Sequence, residues 1–231
     1  MELDWSAQSP HIRTLFRPWQ PGDGYDEATI QEAEERLGIR LPATLRNFYL
    51  AWGKRRDLTA QQDFLRHPNG LVVRADTLIF WVENQGACYW GVPCESLKED
   101  DPSVVITEAG STGWEVESKL NWKPSHPHLS SFLDDMTYQH AFLGGAIHGG
   151  WAPSNLLSTL PADQVAWLEE HWSKANVGPM VFGVEPNANW HCPPVYTRDG
   201  QAFWWGTLAS REAQAVDEIG KRLQFTWKWR W

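Results

Sequence analysis

Two short apolar runs on either side of a polar turn constrain the fold of this chain more than any other stretch. The runs are residues 78–82 and 87–92, and both are rich in β-branched and aromatic side chains. Runs of this length and composition are typical of strands, because helices need longer segments. The first run is apolar on both faces, with Ile79 and Trp81 predicted to share one of them. This pair is therefore predicted to form the centre of a β-sheet.

The polar turn between these runs has a structural and a functional interpretation. Gly86 ends the turn and can adopt the positive φ that a short hairpin connection requires. Asn84 tolerates the left-handed conformation, so the turn residues fit a purely structural role. Polar groups beside aromatic anchors also suit a protein interface. The candidate interface here consists of Glu83, Asn84, Gln85, Trp90 and Trp114.

Two amphipathic helices are predicted before the sheet, and each has recognisable ends. Asp26 fits the N-cap of the first helix, and Gly38 fits its C-terminal cap. Pro42 fits the first position of the second helix, and Gly53 follows its last apolar residue. Residues 1–24 contain several prolines and glycines, and we expect an ordered but irregular arm that packs onto the body.

The rest of the chain alternates between strand and helix patterns. Asp199-Gly200 separates two strand-like runs and is a strong hairpin signal. Residues 223–231 alternate apolar and polar side chains, which predicts a half-buried antiparallel strand. The elements predicted after the central hairpin are strands at 103–107, 114–117, 180–184, 194–198, 201–207 and 223–231, and helices at 130–143, 161–175 and 210–223.

Together these elements predict an α+β fold, with a single mainly antiparallel sheet packed with several helices. A chain of 231 residues can form one large domain. Within that domain, residues 1–24 are the N-terminal arm and residues 25–143 are the core. Residues 144–231 are a C-terminal extension with further helices and strands.

The formal net charge of −9 narrows the choice of partners. It argues against a general binder of nucleic acids or anionic membranes, because both favour a basic protein surface. A basic protein partner suits it better, since opposite charges speed diffusional encounter. The acidic segment 95–101 is the candidate steering element, with Glu95, Asp100 and Asp101 as its site residues. The alternative is that surface acid only maintains solubility.

Cysteine usage and hydropathy indicate the compartment. The chain has only 3 cysteines, an odd number that favours reduced thiols. The N-terminal residues lack the basic and apolar regions of a signal peptide, and no apolar run reaches the length of a membrane span. These features predict a soluble cytoplasmic protein. Most of the 16 tryptophans are expected in the core, with a few left as binding anchors.

Metal and cofactor signals are weak. Cys88, Cys94, His191 and Cys192 carry zinc-binding side chains, but five residues separate the first two and Cys88 lies in a predicted core strand. The glycine-rich segment 144–150 follows a predicted helix and lacks the Lys-Ser/Thr pair of a phosphate-binding loop. We therefore predict no metal and no cofactor.

Paired carboxylates beside tryptophans leave a carbohydrate-active enzyme as a remote alternative, because two acids flank the scissile bond in such enzymes. Catalysis requires a fixed separation between the two carboxylates, which sequence spacing does not show, and solvated acids on loops are commoner. No catalytic residue is predicted. The acids concerned are Glu83, Asp100, Asp101, Glu115, Glu117, Asp134 and Asp135.

Residues 25–143 resemble the SUKH superfamily, the SMI/KNR type that includes yeast cell-wall-synthesis regulators and bacterial toxin-immunity proteins. The features that carry the resemblance are, in order, IQEAEERLG at 30–38, IRLP at 39–42, FYLAWG at 48–53, FWVENQG at 80–86, YWGV at 89–92 and DPSV at 101–104. The resemblance implies a non-enzymatic binding domain, often an immunity protein that occupies a cognate toxin.

The leading hypothesis from the sequence is thus an immunity protein that binds a cognate, basic toxin domain, with a nuclease as one candidate. Its binding residues are drawn from the hairpin and from the acidic segment described above. A regulatory scaffold similar to the yeast relatives is the alternative. No contact with nucleic acid or membrane is expected.

Overall fold

In the computed structural model, residues 10–108, 120–151, 161–174, 196–198, 201–204, 207–224 and 226–230 are described. The predicted α+β class is confirmed, since helices pack with antiparallel sheets. The helices are α1 (Pro10–Leu15), α2 (Glu27–Leu37), α3 (Ala43–Trp52), α4 (Arg56–Thr59), α5 (Leu129–His140), α6 (Ala162–His171) and α7 (Ala213–Arg222). The predicted strands 114–117 and 180–184 lie outside the described residues.

The strands form two sheets. The first contains β1 (Phe64–Leu65), β2 (Val72–Arg74), β3 (Thr77–Val82), β4 (Cys88–Pro93), β5 (Val104–Glu108) and β6 (Lys123–His126). The second contains β7 (His148–Trp151), β8 (Ser173–Lys174), β9 (Tyr196–Arg198), β10 (Gln201–Trp204), β11 (Thr207–Ser210) and β12 (Trp229–Arg230).

The predicted hairpin is the centre of the first sheet, whose order is β1-β3-β4-β5-β6 with β2 also paired to β3. Gly86 has the expected positive φ of 71° in the turn. The prediction that Ile79 and Trp81 share a face is wrong, because the register shifts between them. This β-bulge turns Trp81 into the main core, where its ring lies 5.6 Å from that of Phe132. Ile79 packs on the other face of the sheet.

The two helices before the sheet begin and end at or next to the predicted residues, with Pro42 as the N-cap of α3 rather than its first residue. The Asp26 carboxylate accepts the Thr29 N–H at 2.8 Å, and Gly38 ends α2 with a φ of 67°. Pro42 directly precedes α3, and Gly53 closes it through a 3.1 Å bond from its N–H to the Tyr49 carbonyl. The apolar faces of both helices enter the main core.

The prediction of a single sheet requires correction, because the strands after residue 144 build a separate one. Its order is β12-β7-β11-β10-β9-β8, and β9 and β10 form the hairpin predicted around residues 199–200. Helices α6 and α7 contribute to a second core with this sheet. That core contains Leu168, Trp172, Leu208, Val216, Ile219, Leu223 and Trp227.

The predicted strand 223–231 is mostly wrong. Leu223 still belongs to the apolar face of α7, and its N–H donates to the Ile219 carbonyl at 2.8 Å. Gln224 then reverses the chain with a φ of 57°. Only Trp229–Arg230 is a strand in the described part of this segment, and it pairs with β7.

The N-terminal arm also differs from the prediction of an irregular segment. Helix α1 buries Ile12 and Leu15 in the main core, and Phe16 follows them there. Predicted helix 130–143 is α5, which continues as one wide turn over Ala141–Gly145. Among the described residues, we find no helix that is both long and apolar enough to cross a membrane.

Candidate protein-binding groove

A groove of about 1250 Å³ lies between the link from α2 to α3 and the segment that follows β4. One wall comes from the end of α2 and the start of α3, and the other from residues 94–100. The groove is lined by Gln31, Glu34, Glu35, Gly38, Ile39, Arg40, Leu41, Pro42, Ala43, Arg46, Cys94, Glu95, Leu97, Lys98, Glu99 and Asp100.

Hydrogen bonds tie the acidic segment both to the facing wall and to α5. The N–H of Thr44, in the first turn of α3, donates to the Asp100 carbonyl at 2.9 Å. The Asp101 carboxylate accepts the Ser130 N–H at 2.8 Å and the Ser130 hydroxyl at 2.6 Å. Asp101 therefore fixes the acidic segment to the start of α5, where a negative charge is favoured.

The groove has an apolar floor and an acidic rim. Leu41 and Leu97 are buried beneath it. Cys94 also lines the groove, and burial raises the pKa of its thiol. The rim carries the exposed side chains of Glu35, Glu95, Glu99 and Asp100, with Arg40 and Lys98 as exposed cations. Exposed acidic side chains therefore outnumber exposed basic side chains along the rim.

Two charged side chains of the lining are already engaged within the fold. Arg46 pairs with Glu27 and lies 3.8 Å from Glu34. The Glu34 carboxylate also accepts the Leu41 N–H at 2.8 Å. These bonds stabilise the link between α2 and α3, so the exposed acids of the rim are the better candidates for contact with a partner.

The structure places the predicted site residues in two regions. Glu95 and Asp100 line the groove, whereas Asp101 has the structural role described above. The hairpin tip with Asn84 and Gln85 lies at the other end of β4. Six residues of extended chain separate the two regions by about 20 Å. The predicted residues therefore do not form one contiguous site.

The hairpin tip is largely organised by its own hydrogen bonds. The Glu83 carboxylate accepts the N–H groups of Gln85 at 2.8 Å and Ala87 at 3.0 Å. This supports the structural interpretation of Glu83, while the side chains of Asn84 and Gln85 are exposed. Phe64 pairs across from Val82 and is also exposed.

Trp90 is not an exposed anchor. Its side chain is 1% exposed and lies in the main core, with its ring 5.9 Å from that of Phe132. The residue occupies the central strand β4, which is covered on both faces. The prediction that Trp90 contacts a partner is therefore wrong. Trp114 lies outside the described residues.

A buried polar cluster lies behind the hairpin tip and was not predicted. The Asp63 carboxylate accepts the Gln139 amide at 3.3 Å and the Asn84 N–H at 3.4 Å. Burial raises the pKa of Asp63 to about 6. Nearby on α5, burial lowers the pKa of His140 to about 4, and its Nδ1 donates to the Leu58 carbonyl at 2.8 Å. No sequence pattern brings these residues together, because their contacts span distant segments.

A second buried polar set joins β6 to α5. His126 is buried, with 8% of its surface exposed. Its Nε2 lies 3.0 Å from the Asp135 carboxylate, and its Nδ1 lies 2.8 Å from the Ser125 hydroxyl. The order of groups resembles a catalytic relay. The groove described above is lined by other residues, and the contacts of this set join β6 to α5.

Among the residues that the structure describes, the remaining candidate ligands and acids do not form one cluster. Cys88 is buried in the core strand, and His191 and Cys192 lie outside the described residues. No group of three metal-binding side chains occurs in the described part of the chain. Asp135 is engaged by His126 and Asp101 by Ser130, and residues 115–117 are not described.

Comparisons with known proteins add no relative. No protein-family model, curated protein or solved structure matches this chain. The groove and the sequence resemblance are therefore the observations that bear on function.

Proposed function

We propose that this protein is a non-catalytic binding module that holds a basic partner protein in the acidic groove. The observation that carries the proposal is the combination of an apolar floor and an acidic rim in one groove. Its volume of about 1250 Å³ exceeds the range of roughly 300–1,000 Å³ typical of small-molecule sites. A polypeptide segment with basic and apolar side chains matches both its size and its chemistry.

We further propose that the partner is a toxin, which the module neutralises by covering its active surface. The resemblance to SUKH immunity proteins supports this step, and the segments that build the groove belong to the resembling region. Residues 39–42 of that region form the link between α2 and α3. A nuclease is an attractive toxin class, because enzymes that grip phosphates usually present a basic surface.

The test begins with capture of a partner by the tagged full-length chain from its native host. Identification by mass spectrometry should give one stoichiometric basic protein, and adding the pure chain should abolish its activity. A scatter of substoichiometric proteins would instead support the regulatory scaffold. Capture of an acidic partner would contradict the proposed groove chemistry.

The groove is tested by charge reversal in the full-length chain. The variant Glu35→Lys/Asp100→Lys should slow association with the captured partner by about tenfold at low salt and weaken its salt dependence. Glu32→Lys is the control matched to Glu35→Lys alone, since both acids are exposed on the same helix but only Glu35 lines the groove. Equal effects of both variants would indicate a non-specific role of net charge.

A further inference from the structure

One short segment of this acidic protein carries a local excess of positive charge. Residues 221–230 contain four basic side chains and no acidic one, although the whole chain has a net charge of −9. Taken alone, this net charge argues against binding to anionic surfaces. At physiological ionic strength, however, exposed charges further apart than about 8 Å are largely screened. A local basic surface can therefore act independently of the acidic groove.

The structure exposes an aromatic ring among these cations. Trp229 is 64% exposed, more than the other large exposed hydrophobic residues of the described chain. It lies on β12, which ends the second sheet and is paired to β7. Lys228 and Arg230 flank it and are exposed, and Arg230 pairs with Asp217 at 2.6 Å. Because the Trp229 ring is mostly exposed, it contributes little hydrophobic stabilisation to the fold.

Two further cations lie in the last turn of α7, about one helical turn beyond Asp217, the partner of Arg230. Lys221 and Arg222 are exposed in its last turn. The Arg222 guanidinium lies 4.7 Å above the ring of Trp167, which fixes its position. The Trp227 indole, by contrast, donates to the Val216 carbonyl at 2.6 Å and anchors the segment onto α7. The cations and the exposed ring are thus held on a fixed support.

We infer that this surface, formed by Lys221, Arg222, Lys228, Trp229 and Arg230, docks onto an anionic lipid membrane. Tryptophan rings are favoured at the headgroup level of a bilayer, and lysine and arginine beside them attract anionic lipids. Each cation near such a surface strengthens binding by about fivefold. The contact is peripheral, reversible and dependent on salt. It is independent of the proposed binding of a basic protein in the groove.

Single-stranded nucleic acid is the competing anionic partner, and the shape of the surface favours the membrane. Nucleic-acid channels offer successive aromatic platforms along a basic groove. Here one ring projects from the edge of a sheet, and the groove of the described chain lies among residues 31–100 and is acidic. A projecting ring with cations around it is suited to the headgroup layer instead.

The test is co-sedimentation of the purified full-length chain with lipid vesicles. We expect binding to vesicles of equal parts phosphatidylglycerol and phosphatidylcholine, and at least tenfold weaker binding to pure phosphatidylcholine. Lys221→Gln/Lys228→Gln should weaken binding to the anionic vesicles by about 25-fold. Trp229→Ser should weaken it by about tenfold. All of these side chains are exposed, so thermal unfolding should match the parent.

The matched control is Trp19→Ser, which removes another exposed ring that is 53% accessible and lies on the N-terminal arm. This variant should bind anionic vesicles like the parent. The inference is overturned if the parent does not bind anionic vesicles, or if Trp19→Ser and Trp229→Ser lose binding equally. The parent could instead bind an oligothymidylate but no vesicles, with that binding weakened by Trp229→Ser. This result would assign the surface to nucleic acid and would also overturn the inference.

Discussion

At the scale of single residues, burial of Asp63 makes stability depend on pH. Its pKa of about 6 in the folded protein is above that of an exposed aspartate, because burial disfavours the ionised form. As pH rises from about 4 to 6, the unfolded state loses this proton first, so stability falls. Asp63→Asn should therefore be more stable than the parent at pH 8, by about 2 kcal/mol.

The measurement is urea denaturation of both proteins across this pH range. The advantage of Asp63→Asn should shrink as pH falls through about 6, because the parent carboxyl then regains its proton. A constant difference between the two proteins at all pH values would show that Asp63 does not titrate in this range.

His140 acts in the opposite direction. Its pKa of about 4 in the folded protein lies below the value of an exposed histidine, because the ring is fully buried. The neutral His140 ring therefore contributes fully to the free energy of unfolding above about pH 6.5, and this contribution is lost as pH falls toward 4. His140→Leu should cost about 1–3 kcal/mol at pH 7, because the Leu58 carbonyl loses its donor.

This cost should decrease as pH falls from 6.5 to 4, where the parent is itself destabilised. Urea denaturation of the two proteins at matched pH values measures it. Since Asp63 and His140 have opposite effects over the same range, the parent should show a flatter pH dependence than either variant. A cost that grows on acidification would contradict the assignment of His140 as a buried neutral ring.

At the scale of elements, close contact between β3 and β4 depends on Gly91. A Cβ at this position would lie 2.4 Å from the Thr77 methyl carbon and 2.8 Å from the Leu78 carbonyl oxygen. Gly91→Ala should therefore destabilise the protein by about 1–3 kcal/mol through overpacking. Gly70→Ala is the matched control, because a Cβ there would have open space. Similar thermal unfolding of the two variants would contradict this reading of the central hairpin.

Local signals explain which elements could be predicted from the sequence. Asp26 and Gly38 act on neighbouring backbone groups, so capping residues indicate α2 without knowledge of the fold. The central hairpin is indicated by its apolar runs in the same way. The alternation at residues 223–231 misleads, because Leu223 completes the face of α7 and Gln224 turns the chain. The bulge beside Trp81 depends on strand pairing, which residue spacing does not encode.

At the scale of the whole molecule, the site was only half predictable. The charge of Glu95 and Asp100 indicated an acidic surface, and the structure brings both to one groove. Its other wall comes from α2 and contributes Glu35, which no local pattern connects to residues 94–100. Trp90 was misjudged because an aromatic side chain in a central strand serves the core as readily as an interface. Long-range packing decides between the two roles.

The two sheets should unfold together, because side chains of the second sheet enter the core of the first. Ala202 of β10 and Ala209 of β11 belong to the main core, alongside Ile12 of α1. Removing this shared packing with Ile12→Ala should cost about 2–5 kcal/mol. Native-state hydrogen exchange should then show equal losses of protection in β3 and β11.

The matched comparison is Ile219→Ala, which removes a side chain from the second core alone. In a cooperative molecule this variant also lowers protection in β3 by the same free energy as in β11, because both sheets exchange through one global unfolding. Unfolding of the parent in guanidinium should likewise give coincident transitions by far-UV dichroism and tryptophan fluorescence. Loss of protection confined to β11 in Ile219→Ala would show instead that the second sheet opens independently, despite the packing of Ala202 and Ala209 against the main core.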